Sequence, residues 1–210
     1  MDRQTPYAPS LIAALLASAL WAVALAVSPV GYVPLVLGGL AIVVLAWAMA
    51  SPVRVWPTPW PWGATLAGLV VGWSALALSH ALASLALSAV PVWVRELAVL
   101  TGGELEQSPF SVELVVVLTV LVVVAEEIVW RGLALAAIRA RASDVAAVLG
   151  SAALYAATQA GFGMSLPAVA AFGLGVLFGA LRLWSRGLVA PTVAHLMWTT
   201  GLLWWWPLAA

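Results

Sequence analysis

Two acidic residues and one arginine lie close together in an otherwise apolar stretch, in the pattern Glu126-Glu127-x-x-x-Arg131. Residues 114–124 before them and 133–138 after them carry no charge. A helix over 110–138 is long enough to cross a bilayer, which takes about 20 apolar residues. Charged side chains in such a helix cost ~2.5–3.5 kcal/mol each on insertion scales, and they usually face the interior of a bundle and mark function. The sequence therefore predicts a buried site here.

The spacing of the three residues predicts two different roles for the acids. At about 100° per residue, Glu127 and Arg131 are i,i+4 neighbours on one helix face, and Glu126 points about a quarter-turn away. Arg131 would then hold Glu127 and leave Glu126 free to act as a base. The alternative is a structural ion pair, with the other acid bonded to a neighbouring helix. A functional role is favoured over a structural one, because packing alone does not require the additional negative charge of the second acid.

Later apolar segments offer polar partners for the acids. Tyr155 and Gln159 share one helix face at i,i+4, and so do His195 and Thr199. A rise of about 1.5 Å per residue from the charged helix ends places Gln159 and His195 near the depth of the acids. We therefore expect these side chains to lie in one band near the middle of the membrane.

The composition is that of a membrane protein. The chain has 210 residues, of which 65% are hydrophobic and 8% charged, whereas a soluble domain carries about 25% charged residues. The net charge is zero, so no basic patch indicates nucleic acid as a partner. The chain has no cysteine, which excludes disulfides, thiolate metal sites and a cysteine nucleophile. The expected partners are the lipid bilayer and a hydrophobic or membrane-anchored peptide or protein.

The hydropathy pattern predicts an all-α fold, a bundle of about seven transmembrane helices that forms a single membrane domain over residues 1–210. A short interfacial helix is expected at 92–100, and Ser143 is expected to cap the helix that starts at Asp144. The predicted spans are 10–27, 35–50, 63–90, 110–138, 144–160, 166–183 and 188–206.

The distribution of the arginines predicts how this bundle is oriented in the membrane. With seven spans and a cytoplasmic N-terminus, only Arg95 falls on the outer side, which is a strong positive-inside bias. We therefore expect a multi-pass protein of the cell membrane with its N-terminus in the cytoplasm. The arginines on the inner side are Arg3, Arg54, Arg139, Arg141, Arg182 and Arg186.

The polar motifs resemble those of the CPBP intramembrane proteases, the CAAX-processing and bacteriocin-processing group that is also called the Abi family. Glu126-Glu127-x-x-x-Arg131 looks like the first motif of that family. Tyr155-x-x-x-Gln159 lies where the family has Phe-x-x-x-His, and His195-x-x-x-Thr199 resembles its last motif, His-x-x-x-Asn or Asp. The resemblance divides the chain into three poorly matched helices over 1–90 and a four-helix CPBP-like core over 110–206. Further matching residues are Gly175, Gly179, Arg182, Gly187, Leu188 and Pro191.

The resemblance implies peptide hydrolysis within or near the membrane. A first-motif Glu and the second-motif His would activate a water molecule, and the last motif would stabilise the oxyanion. Carried over to this chain, Glu126 would be the base, Glu127 and Arg131 would hold the site together, and His195 would face the oxyanion. Tyr155, Gln159 and Thr199 would line the site.

Two departures from the family pattern bear on catalysis. Gln159 stands in place of the expected His, and an amide cannot accept a proton, although it can orient a water molecule. Thr199 replaces Asn or Asp and can donate one hydrogen bond. A catalytic zinc ion usually has three protein ligands, so with a single motif His we expect no cofactor and no His-based zinc centre.

Three functions remain open from the sequence. In the first, Glu126 alone deprotonates a water molecule and the chain is an endopeptidase. In the second, the water-activating pair is broken and the chain is a pseudo-protease that binds membrane peptides as a scaffold. In the third, which is less favoured because no inverted repeat is present, the acids form the proton or ion site of a transporter subunit. The sequence does not name the substrate.

Overall fold

The computed structural model describes residues 7–27, 38, 40, 41, 44, 61–101 and 111–208. The predicted span at 35–50 therefore lies outside the described residues, apart from four positions. The described part of the chain is helical and contains no strand, which confirms the predicted all-α class there. The helices are α1 (Tyr7–Val27), α2 (Trp62–Ala89), α3 (Pro91–Thr101), α4 (Val112–Glu126, Glu127–Ala134 and Leu135–Arg139), α5 (Asp144–Gln159 with the turn Ala160–Phe162), α6 (Ser165–Ser185) and α7 (Val189–Thr200 with Gly201–Trp205).

Four helices of the described part are long and apolar enough to cross a membrane. Their spans are Pro9–Ala26, Trp62–Leu85, Asp144–Phe162 and Ser165–Ser185. Large apolar side chains are exposed along them, such as Leu16 and Val70 at 60% and 66%. An apolar exterior of this kind suits contact with lipid.

Polar caps set several helix boundaries. Ser143 is the N-cap of α5, as the sequence predicts, and its Oγ accepts a hydrogen bond of 3.2 Å from the Ala146 N–H. The short helix predicted at 92–100 is present as α3. Glu96 of α3 accepts hydrogen bonds from the Leu166 and Ser165 N–H groups, at 2.6 and 3.1 Å. Glu96 thereby ties α3 to the N-terminus of α6.

The helix that carries the acids is not a regular α-helix. Helical structure runs unbroken from Val112 to Arg139, but Glu127–Ala134 is π-helical. Within it the Leu135 N–H donates to the Trp130 carbonyl, five residues earlier. The Ser151 hydroxyl of α5 donates to the same carbonyl at 2.6 Å. The rotation of about 100° per residue assumed from the sequence is therefore wrong over this segment, because a π-helix is wound more loosely.

Small residues let α5 and α6 approach each other closely. A Cβ atom added to Gly175 would lie 2.8 Å from the Ala152 Cβ, and one added to Gly179 would lie 3.2 Å from a Val148 methyl carbon. Gly175 and Gly179 thus act as the small residues that allow two membrane helices to pack closely. Gly173 differs, since a Cβ there would meet nothing within 4 Å.

A second glycine pair, which the sequence reading missed, joins α2 to α7. A Cβ added to Gly68 would lie 2.6 Å from the Ala190 carbonyl oxygen, and one added to Gly72 would lie 2.7 Å from that of Ala194. These positions are one helical turn apart on α7, just before His195. Helix α2 therefore fixes the depth and rotation of the helix that carries the imidazole.

Helix α1 supports α4 from another side. The Trp130 indole N–H donates to the Ser18 hydroxyl at 3.1 Å, and the Trp130 ring packs edge-on against Trp21 at 5.7 Å. Trp21 and Trp130 are both fully buried. The segment of α4 that carries the acids is thus held from both α1 and α5.

Candidate active site

Glu127 and Arg131 form a fully buried ion pair in the π-helical segment. Their closest atoms, Oε1 and Nη1, are 3.0 Å apart, and the two side chains are 0% and 1% exposed. The guanidinium carbon lies 4.8 Å from the centre of the Tyr155 ring and 5.4 Å from that of Phe178. Arg131 is therefore held by one charge and two aromatic faces, an arrangement that suits a guanidinium removed from water.

His195 lies between the two acids. Its Nδ1 is 2.8 Å from Glu127 Oε1, and its Nε2 is 3.6 Å from Glu126 Oε2. Because an ionised carboxylate only accepts hydrogen bonds, Nδ1 must carry the hydrogen in the contact with Glu127. Nε2 is then directed toward Glu126. The imidazole is 2% exposed and packs against the Phe178 ring at 5.2 Å.

Glu126 receives neutral hydrogen-bond donors on both oxygens. The Tyr155 hydroxyl donates to Oε2 at 3.2 Å, and the Gln159 amide donates to Oε1 at 3.4 Å. Both contacts are longer than a typical O–H···O or N–H···O bond. Glu126 is 5% exposed and has no ion pair as short as that of Glu127. It is therefore the more loosely held of the two acids.

The charges of the four ionisable groups nearly balance. With both acids ionised, Arg131 charged and His195 neutral, the cluster carries one net negative charge. One further proton on the imidazole makes the cluster neutral, with Nδ1–H toward Glu127 and Nε2–H toward Glu126. A neutral arrangement avoids leaving an uncompensated charge in a buried position.

The structure brings together most of the residues that the sequence singled out. Thr199 makes no hydrogen bond to the cluster. Its hydroxyl is buried one helical turn beyond His195, with no hydrogen-bond partner in the described part of the chain. The residues in mutual contact are Glu126, Glu127, Arg131, Tyr155, Gln159 and His195.

Two residues of the site were missed by the sequence reading. Phe178 contacts both Arg131 and His195. The one feature of the sequence that could have indicated it is its position between Gly175 and Gly179, on the face of α6 that packs against α5. Ser151 donates to a backbone carbonyl of the π-helical segment, and nothing in its sequence context indicated this role.

Several polar atoms around the cluster lack a hydrogen-bond partner within the described residues. They include Glu127 Oε2, the Arg131 Nε and Nη2 atoms, and the hydroxyls of Thr192 and Thr199. By contrast, Thr158 and Thr200 donate to their own helix backbone, four residues earlier. A buried polar group without a partner costs about 1–3 kcal/mol. The hydrogen-bonding capacity of these atoms is therefore unused within the described residues.

The same groups do not fit a metal site. Among the described residues, no group of three or more His, Cys, Asp or Glu side chains is arranged to hold a metal ion. The Nδ1 of His195 and the Oε1 of Glu127 already bind each other, and the same oxygen pairs with Arg131. An imidazole whose Nδ1 carries a hydrogen has only Nε2 left to ligate.

One comparison with known proteins found a match over the segment that carries the cluster. Residues 108–201 match the family model described as type II CAAX prenyl endopeptidase Rce1-like. The match spans α4 to α7, which carry all six residues of the cluster, and it confirms the resemblance to the CPBP family over this part of the chain. No curated protein and no solved structure matches the chain.

Proposed function

We propose that this chain is an intramembrane endopeptidase of the CPBP type, which hydrolyses a peptide bond of a membrane-associated substrate. The family match suggests a peptidase of this kind. The observation that supports the chemistry is the Glu126 carboxylate, which is buried, free of a short ion pair and 3.6 Å from the His195 Nε2. A base and a cationic hydrogen-bond donor are the two groups that water attack on a carbonyl needs.

In the proposed reaction, Glu126 accepts a proton from a water molecule. The water oxygen forms a bond to the carbonyl carbon of the substrate, and the carbonyl oxygen becomes an oxyanion. The Nε2–H of His195 and the hydroxyl of Thr199 donate hydrogen bonds to that oxyanion. When the tetrahedral intermediate collapses, the C–N bond breaks and the leaving nitrogen receives the proton that Glu126 took from the water molecule.

Glu127 and Arg131 act through His195. The Glu127 carboxylate accepts from Nδ1–H at 2.8 Å, which sets the ring orientation and directs Nε2 toward the reacting atoms. Arg131 holds Glu127 in turn, at 3.0 Å. An acid that orients an imidazole is a frequent device in hydrolases. Neither residue needs to contact the substrate.

Replacement of Glu126 by Gln tests the proposal. The purified protein, reconstituted in liposomes, would be assayed against a library of prenylated peptides, leader peptides and hydrophobic tails, with and without a chelator. We expect wild-type protein to cleave one class and Glu126→Gln to abolish cleavage. Glu113→Gln is the matched control, since Glu113 lies on the same helix but is exposed, and it should cleave normally. Cleavage by Glu126→Gln at the wild-type rate would show that the base lies elsewhere.

A pseudo-protease is the second candidate, and Gln159 favours it. The amide lies 3.4 Å from Glu126, where the family pattern has an imidazole, and it cannot carry a proton. A scaffold would bind membrane peptides without cleaving them. Binding of a library peptide without any product would support this function over the endopeptidase. Ion flux in liposomes that depends on Glu126 would instead support the less favoured transporter subunit.

We further propose seven transmembrane spans in the cell membrane, with a cytoplasmic N-terminus. The four long apolar helices and the arginine distribution support this topology. Because the chain has no cysteine, single cysteines can be introduced and labelled from either side of the membrane. Cysteines at Arg3 and Arg186 should be labelled only from the cytoplasmic side, and one at Arg95 only from outside. Labelling of all three from one side would contradict the topology.

A further inference from the structure

The Tyr155 hydroxyl has no role in the reaction described so far. It donates to Glu126 Oε2 at 3.2 Å, on the oxygen that also lies nearest the His195 Nε2. Gln159 donates an N–H hydrogen bond to the other oxygen, but its amide cannot release a proton. A phenol can both release and accept one. Of the two neutral groups bonded to Glu126, Tyr155 is therefore the one that can take part in proton transfer.

The ring of Tyr155 is held firmly in place. It packs against the Trp130 ring at 4.3 Å and under the Arg131 guanidinium at 4.8 Å, and the residue is 5% exposed. These contacts involve the ring and not the hydroxyl. A phenylalanine at this position would keep all of them. The hydroxyl can therefore be removed without disturbing the packing of the site.

We propose that Tyr155 relays a proton from Glu126 to the leaving nitrogen of the substrate; this inference rests on the proposed endopeptidase function. After water attack, Glu126 carries the proton taken from the water molecule. When the C–N bond breaks, its electron pair goes to nitrogen, which takes the phenol proton. The phenol oxygen takes the proton from Glu126 at the same time. Tyr155 ends neutral, Glu126 ends as a carboxylate, and the products are an acid and an amine.

This chain differs from the resembling family at two positions of the second motif, and the two differences have complementary effects on proton transfer. Where the resembling family has Phe, this chain has the hydroxyl of Tyr155, and where the family has His, this chain has Gln159. Both side chains reach the same carboxylate, from positions one helical turn apart on α5. The first substitution supplies a group that can carry a proton, and the second removes one. The geometry thus gives Tyr155 a catalytic task that a phenylalanine could not perform.

A double-mutant cycle tests the relay. The variants are Tyr155→Phe, Gln159→His and the combination of both, assayed as full-length protein in liposomes for kcat and KM. Because general acid–base groups contribute about 10²–10⁴-fold, we expect Tyr155→Phe to lower kcat at least about tenfold with KM nearly unchanged. In the Gln159→His background the same change should cost less than about threefold, since the imidazole offers another proton carrier. Thr158→Val is the control, because its hydroxyl bonds only to its own helix.

An infrared measurement tests the contact without any substrate. The carboxyl bands that Glu126→Gln removes identify Glu126, and Tyr155→Phe should shift them while Thr158→Val should not. A Glu126 band that does not shift in Tyr155→Phe would overturn the proposal. Equal kcat values for wild-type and Tyr155→Phe would also overturn it. So would an equal loss of kcat from Tyr155→Phe in the wild-type and Gln159→His backgrounds. If wild-type cleaves and Tyr155→Phe cleaves equally well, only the relay fails. If wild-type cleaves no peptide, the endopeptidase function fails and the relay fails with it.

Discussion

Replacement of Arg131 by Gln should destabilise the protein strongly, because it leaves Glu127 buried without its cation. Breaking a buried pair by removing one partner costs about 3–5 kcal/mol. In this variant Glu127 still accepts the hydrogen bond of 2.8 Å from His195, which favours a destabilisation in the lower half of that range. The loss of the Arg131 contacts with the Tyr155 and Phe178 rings adds to the destabilisation. For a chain of this length, such a loss lowers the melting temperature by roughly 6–20 °C.

The exposed pair of Arg139 with Asp144 provides a matched comparison. Its closest atoms are 2.6 Å apart, shorter than in the buried pair, but its side chains are 53% and 57% exposed. Because exposed pairs contribute about 0–1 kcal/mol, Arg139→Gln should shift the melting temperature by no more than a few degrees. Thermal unfolding in detergent micelles, followed by the fluorescence of the thirteen tryptophans, measures both variants.

The double variant Glu127→Gln/Arg131→Gln separates charge from packing. It removes both charges of the buried pair, so it should recover part of the stability lost in Arg131→Gln. Equal melting temperatures for Arg131→Gln and Arg139→Gln would refute the reasoning from burial. A double variant less stable than Arg131→Gln would show that an unpaired Glu127 is not the cause of the loss.

Three further changes have defined outcomes. Gln159→His should raise the cleavage rate by placing a proton acceptor beside Glu126. A folded variant that, like the wild-type protein, cleaves no peptide would favour the scaffold function. Gly72→Leu should push α2 away from α7 and lower both the stability and the cleavage rate. Gly173→Leu is the control and should leave both unchanged, because a Cβ at Gly173 meets nothing within 4 Å. Equal effects of the two changes would contradict the packing argument. The hydrogen bond from the Leu166 N–H is the main reason why the pKa of Glu96 lies below its usual value. The Glu96 carboxylate therefore stabilises the folded protein at a pH above the pKa that Glu96 has in the unfolded chain. This stabilisation is lost as the pH falls through the lowered pKa of the folded protein. Unfolding temperatures between pH 7 and pH 3 should therefore fall less in Glu96→Gln than in wild-type, and parallel profiles would contradict the role of this cap.

Local features of the sequence were enough to predict much of the fold. Charge-free apolar runs place the helices, because a backbone in lipid must satisfy its own hydrogen bonds. The cap at Ser143 and the neighbouring positions of Glu127 and Arg131 depend on residues only a few positions apart. The surplus acid likewise indicated a buried site, since a charged side chain that faces lipid is costly whichever helices form the bundle.

Only the tertiary structure decided how the site is assembled. The π-helical winding of Glu127–Ala134 is supported from α5 by Ser151, and no local pattern revealed it. The placement of His195 between the two acids depends on the rotation of α7, which the contact of Gly72 with α2 helps to fix. Both sets of contacts join residues far apart in the chain, and they follow from how side-chain volumes fit between helices. A periodicity read along one helix carries no information about which neighbour that helix meets, or at what angle.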